Sequence, residues 1–149
     1  MSETVTAHQR HAFAERLRRA PLLLDGAMGT LLFSRGVPQR ASLDELVEKQ
    51  AELIGAIHRE YIDAGADGIE TNTFGANRLR LAPFGLGHKA GALNRRAAQI
   101  AREARDVAGR RDVLIFGSIG PLQAPVHGPD RLAEADIRAA FREQIEGLL

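Results

Sequence analysis

Three times along this chain a short apolar run stops abruptly at a polar loop that carries glycine. Leu22-Leu23-Leu24 gives way to Asp25-Gly26-Ala27-Met28-Gly29-Thr30, and Ala66-Asp67-Gly68-Ile69 to Glu70-Thr71-Asn72-Thr73-Phe74-Gly75. Val113-Leu114-Ile115-Phe116 then runs into Gly117-Ser118-Ile119-Gly120-Pro121. Continuous apolar runs, rather than strict alternation, mark parallel strands covered on both faces. The runs begin about 45 residues apart, which leaves room for a crossover helix between each pair. No hairpin signal falls between them. The chain reads as α/β, barrel or doubly wound, with three loops delivered to one rim, where such folds place their ligand sites.

The intervening segments read as helices. Residues 1–20 form a tail followed by a short amphipathic helix from His8 to Arg19, with Phe13 and Leu17 on one face. Leu31-Leu32-Phe33 continues for a turn or two until Gly36 and Pro38. Ser42-Leu43-Asp44-Glu45 fits a capping box, opening a long helix that carries Leu46, Val47, Leu53, Ile54, Ile57, Tyr61 and Ile62 and stops at Gly65. Residues 77–87 are irregular. A second long helix spans Lys89 to Ala108, with Leu93, Ala97, Ile100 and Ala104 on its core face and Gly109 just past its end. A Pro-rich loop reaches Asp130, and Leu132 to Leu149 reads as a helix with Ile137, Phe141, Ile145 and Leu148 on its apolar face. A closed (β/α)8 barrel takes ~250 residues, so three strands are too few to close one. They could form a small open sheet, whose flanking strands would each need cover; the expectation is that residues 1–149 are the first part of a larger domain.

Composition narrows the function classes. The formal charge is +1, and acids are interspersed among the arginines, which argues against a nucleic-acid surface. Cysteine is absent, so disulfides, thiolate metal ligation and a cysteine nucleophile are all excluded for this chain. Nothing approaches the ~18 apolar residues of a membrane span, and no apolar signal core opens the sequence; a cytoplasmic location is expected.

The candidate site residues lie in the three loops. Asp25 at a strand end suits an amino group, and the neighbouring amides of Gly26 and Ala27 suit a carboxylate; a tight turn with a capping Asp is an equally good local reading. Glu70 ends an interior strand, where an unpaired carboxylate is expensive, so it pairs either a substrate amine or one of the arginines. Thr71, Asn72 and Thr73 hydrogen-bond a ligand or cap the next helix. Ser118 has no His or carboxylate in recognisable relation to it, which argues against a nucleophilic serine. The histidines show no ligand spacing. His58 reads as a helix-flank residue, and His127 is the one histidine placed near the rim.

The motifs taken together resemble a known family. Leu-Leu-Asp-Gly-Ala-Met-Gly-Thr at 23–30, Tyr-Ile-Asp-Ala-Gly-Ala-Asp at 61–67, Ile-Glu-Thr-Asn-Thr-Phe-Gly-Ala-Asn at 69–77 and Gly-Ser-Ile-Gly-Pro-Leu at 117–122 occur in that order. This is similar to the homocysteine S-methyltransferases, and residues 29–38 look most like the bacterial members fused to a methylenetetrahydrofolate reductase. The resemblance implies that residues 1–149 are the N-terminal portion, about three strand–helix units, of a truncated TIM-type (β/α)8 barrel in methionine biosynthesis, with zinc held by three cysteines binding the homocysteine sulfur. A free thiol has a pKa near ~8.5, and coordination by zinc deprotonates it. The thiolate then takes a methyl group from a donor that the motifs do not name. The resemblance further implies that Asp25, Gly26 and Ala27 hold the amino-acid end of homocysteine, with Glu70, Thr71 and Asn72 lining the same mouth and Ser118 on the third loop.

Two departures qualify it. The family's zinc cysteines lie on later strands and none is present here, so the chain alone is expected to bind no zinc and to transfer no methyl group. Gln123 stands where the family usually has glycine, so the third loop is expected to differ in shape. The alternatives are a non-catalytic half-barrel that covers its exposed sheet edges by self-association or with a partner, and an unrelated barrel that binds phosphate at residues 26–30.

Overall fold

The computed structural model describes residues 7–123 and 131–149, with side chains from residue 13 onward. Seven helices and two strands appear among them in the order α1 (Ala7–Arg19), α2 (Met28–Ser34), α3 (Leu46–Lys49), α4 (Ala51–Asp63), β1 (Gly68–Glu70), α5 (Arg78–Leu81), α6 (Ala90–Val107), β2 (Leu114–Phe116) and α7 (Glu134–Leu148). Two 3-10 turns, Ala82–Phe84 and Gly87–Lys89, link α5 to α6.

The strands β1 and β2 are parallel, with Gly68 opposite Leu114 and Glu70 opposite Phe116. The expected first strand is reduced to one parallel bridge, Leu24 to Gly68. Its backbone does follow β1, since Asp67 N–H donates to the Leu23 carbonyl at 2.7 Å and Asp25 N–H to the Gly68 carbonyl at 3.0 Å. The ladder stops at the next rung because Glu70 N–H is taken by the Asp25 carboxylate, 3.1 Å to each oxygen, instead of by a main-chain carbonyl. Leu23 and Leu24 are not the buried strand residues expected: they are 60% and 41% exposed. The unit is therefore a helix-rich α/β layer with two strands and a bridged edge, not three full strands.

Helices cover the other side. Leu32, Leu46, Val47, Ile54, Ile57, Leu81, Leu93, Ala97 and Ile100 form the main core between α2, α3, α4, α5 and α6. A smaller cluster of Ile62, Ile69, Ala101 and Val113 joins α4 and α6 to the sheet. Gly65 and Gly109 follow α4 and α6 with φ of +101° and +68°, the left-handed conformation that ends a helix cleanly.

Three expected features differ. The long helix from Ser42 is broken at Gln50 (φ −141°, ψ 48°) into α3 and α4, and Ser42 does not cap it. Residues 43 and 44 are drawn instead toward the loop after β1, where the Leu43 carbonyl accepts from Asn72 Nδ2 at 2.7 Å and Asp44 Oδ1 from Gly75 N–H at 3.0 Å. On α7 the face buried against α6 is Ala140, Gln144 and Gly147, while Ile145 of the expected face is 44% exposed. The reason is close approach: a Cβ on Gly147 would sit 2.8 Å from both the Gly91 carbonyl oxygen and the Asn94 Cβ. His58 is no flank residue. It is completely buried, and neither ring nitrogen has a hydrogen-bond partner among the described residues.

Candidate functional site

The three loops meet in one cleft of ≈ 580 Å³. Asp25, Gly26, Ala27, Glu70, Thr71, Asn72 and Ser118, the residues singled out from the sequence, all line it. Parallel pairing explains the convergence, because strands running the same way present their C-terminal ends to one rim.

At the centre is a chain of hydrogen bonds between two carboxylates. Ser118 Oγ donates to Glu70 Oε2 at 2.8 Å, and the Glu70 backbone N–H is held by the Asp25 carboxylate. Glu70 forms no ion pair with an arginine among the described residues, and Ser118 does have a carboxylate neighbour, one that lies 48 positions away in the sequence. The Asp25 carboxyl is pushed up to about 6: burial raises it most, the Glu70 N–H opposes this, and the negative charge of Glu70 adds to the rise. Two acids whose charges oppose one another form a site that draws a positive group.

The loop frame is built from hydroxyls. Ser118 N–H donates to Thr71 Oγ1 at 3.1 Å, and Thr73 Oγ1 donates to the Ser118 carbonyl at 2.8 Å. Since the Thr73 proton is used there, the 2.7 Å contact between the two threonine oxygens is a Thr71 donation to Thr73. Thr71 is 4% exposed. Its hydroxyl and the Asn72 Nδ2 donor are used within the loop architecture. The helix cap expected among 71–73 is supplied by Asn77, whose Oδ1 accepts from Leu79 N–H at 3.2 Å and Arg80 N–H at 3.0 Å.

Several lining groups had no sequence signal that separated them from ordinary helix and loop residues. Asp44 is half-buried, and its carboxyl is raised by desolvation against the pull of Gly75 N–H and Arg80. The Arg80 guanidinium lies 5.5 Å from the centre of the Phe74 ring. Phe33, Phe84 and Gln39 complete that wall. Only the Asn77 cap had a readable cue, an Asn preceding a short run of good helix formers.

Gln123, also at the cleft, adopts φ +55°, the one left-handed non-glycine residue among those described. The backbone thus keeps a glycine-like conformation with a side chain attached. His127 and the rest of 124–130 lie outside the described residues. No group of three or more His, Cys, Asp or Glu side chains able to hold a metal ion occurs among the described residues. No described helix is long and apolar enough to cross a membrane.

Comparison with known proteins follows the same lines. The family profile for homocysteine S-methyltransferase matches residues 22–149. The chain is 32% identical over 162 aligned positions to a methionine synthase of Mycobacterium tuberculosis, covering 97% of this chain and 13% of that protein. A methionine synthase of Mycobacterium leprae aligns with the same identity and coverage. Among solved structures, the metallated form of the homocysteine methyltransferase MmuM from Escherichia coli superposes with a TM-score of 0.74 at 29% identity, covering 90% of this chain and 52% of that one. Its apo form gives a TM-score of 0.62 at 28% identity, over 89% and 46%. The chain thus spans about half of that solved enzyme and a small part of the methionine synthases.

Proposed function

The chain belongs to the homocysteine S-methyltransferase family, and from that premise we propose that it is the part of a methyl-transfer barrel that holds the amino-acid end of homocysteine. The observation that carries this reading is the convergence of Asp25, Glu70 and Ser118 in one cleft, joined by hydrogen bonds. The ammonium group of homocysteine lies against the Asp25 and Glu70 carboxylates, and its carboxylate against the amides of Gly26 and Ala27. Thr71, Asn72 and Ser118 hold the mouth in shape around it. In this reading the whole protein methylates homocysteine to methionine with a small-molecule donor.

The residues present do not fit the zinc that the resemblance implies. A site of three thiolates needs three cysteines, and the chain has none. Activation of the sulfur is therefore assigned to protein outside this sequence, and the chain on its own transfers no methyl group. What its residues do is bind and orient. Two carboxylates grip the ammonium, the glycine-bearing turn leaves backbone amides accessible, and a network of hydrogen bonds holds the three loops in register.

The test is a two-dimensional NMR titration of the chain with L-homocysteine, with and without zinc. Shifts concentrated at residues 25–27, 70–72 and 118, with an affinity that zinc leaves unchanged, are expected. Shifts scattered elsewhere, or zinc-dependent tightening, would overturn the assignment.

A further inference from the structure

Gln144 is the largest polar side chain buried between α6 and α7. It is completely buried, on a face otherwise made of Ala140 and Gly147. A glutamine there is unfavourable unless its amide is used, since an unpaired buried amide carries a desolvation penalty. Nε2 donates to the Thr73 carbonyl at 2.8 Å, across 71 residues of sequence, while Oε1 has no partner among the described residues. A second buried amide acts beside it: Asn94 Nδ2 donates to the Ala76 carbonyl and to the Ala90 carbonyl, each at 2.7 Å. Two helix-borne amides thus grip the back of the loop whose front forms the cleft.

From Thr73 a continuous path leads forward. The Thr73 hydroxyl holds the Ser118 carbonyl, Thr71 holds the Ser118 N–H, Ser118 Oγ holds Glu70, and Glu70 N–H meets the Asp25 carboxylate. We propose that Gln144 is a positioning residue for the cleft: it fixes the Thr73 carbonyl, and the paired threonine hydroxyls carry that placement to Ser118 and Glu70. The proposal rests on the reading of the cleft as the amino-acid site. It adds that α7, which contributes nothing to the cleft lining, governs the geometry of the ammonium-binding pair.

The experiment follows the Asp25 carboxyl by carbon-detected NMR titration in the ligand-free protein, alongside L-homocysteine affinity. In Gln144→Met, which keeps length and loses the donor, Ser118 and Glu70 are released. The Asp25 midpoint then moves from near 6 by about half a pH unit or more, because burial, the Glu70 N–H and the Glu70 charge together set it. Homocysteine binding weakens about tenfold. Phe141→Ala, which loosens α7 without removing any of these hydrogen bonds, leaves the midpoint in place. Should Gln144→Met fail to fold, Thr73→Val and Thr73→Ser test the same path: Val shifts the midpoint and Ser, which retains the hydroxyl, does not. An unchanged midpoint in Gln144→Met or in Thr73→Val overturns the proposal, as does an equal shift in Phe141→Ala. If L-homocysteine perturbs nothing in the parent chain, the proposed function fails, while the ligand-free midpoints still decide the role of Gln144.

Discussion

His58 makes the chain acid-sensitive in a way that one substitution removes. The ring is fully buried on α4, with both nitrogens unpartnered among the described residues, and burial lowers its pKa from 6.5 to about 4. A base whose folded pKa is depressed stays neutral in the native state while the unfolded chain binds a proton. Its contribution to stability is whole above pH 6.5 and is lost as pH falls through the window down to 4. At pH 5 the unfolded state carries almost one proton on this residue and the native state almost none, which amounts to a loss of about 2 kcal/mol relative to pH 8. For a chain of this length that is roughly 6 °C in melting temperature. In His58→Leu, of similar volume and without titratable atoms, the term vanishes. Urea unfolding followed by circular dichroism at pH 5 and pH 8 in both proteins isolates it, because other groups cancel in the difference. Asp25 is one such group and acts with the opposite sign: a carboxyl with a raised folded pKa contributes stability at low pH that is lost as pH rises from 3.8 through about 6. The gap between His58→Leu and the parent should widen by about 2 kcal/mol on acidification. Parallel pH profiles would refute the reasoning, since they would mean that the imidazole reaches water or finds a partner.

Three further outcomes follow from the cleft and its frame. If the ionised Asp25 carboxylate holds the substrate ammonium, L-homocysteine affinity measured by calorimetry falls about tenfold between pH 7 and pH 5, and Asp25→Asn flattens the profile; an unchanged slope in the variant would assign the proton elsewhere. Asn77→Ala removes the cap of α5 and lowers stability by about 1 kcal/mol or more, whereas Asn77→Asp, which keeps the acceptor, restores most of it in a denaturant titration. Gly147→Ala inserts a methyl against the Gly91 carbonyl and Asn94 and is expected to cost about 1–3 kcal/mol; a variant of unaltered midpoint would show that α6 and α7 are not in close contact.

What was legible in the sequence divides along a physical line. The parallel order of the runs, the helices around Ile57 and Ile100 and the glycine stops at 65 and 109 depend on local periodicity and backbone preference, and they stand in the fold as read. The break at Gln50 has no proline or glycine to announce it, because it arises when Leu43 and Asp44 are drawn to the β1 loop by Asn72 and Gly75. The α7 face failed for a related reason: an apolar stripe identifies what a helix would bury, but contact distance, set here by two glycines, selects what it does bury. The loop residues show the limit most clearly. Asp25, Glu70 and Ser118 line one cleft, as strand direction implies, yet the partner of the Glu70 side chain and the use of Thr71 depend on a residue nearly fifty positions away. Such pairings have no period and no local cost until the fold exists. The missing thiolates are the opposite case: a donor set is a matter of composition, so the absence of cysteine excludes a thiolate metal site within this sequence before any geometry is known.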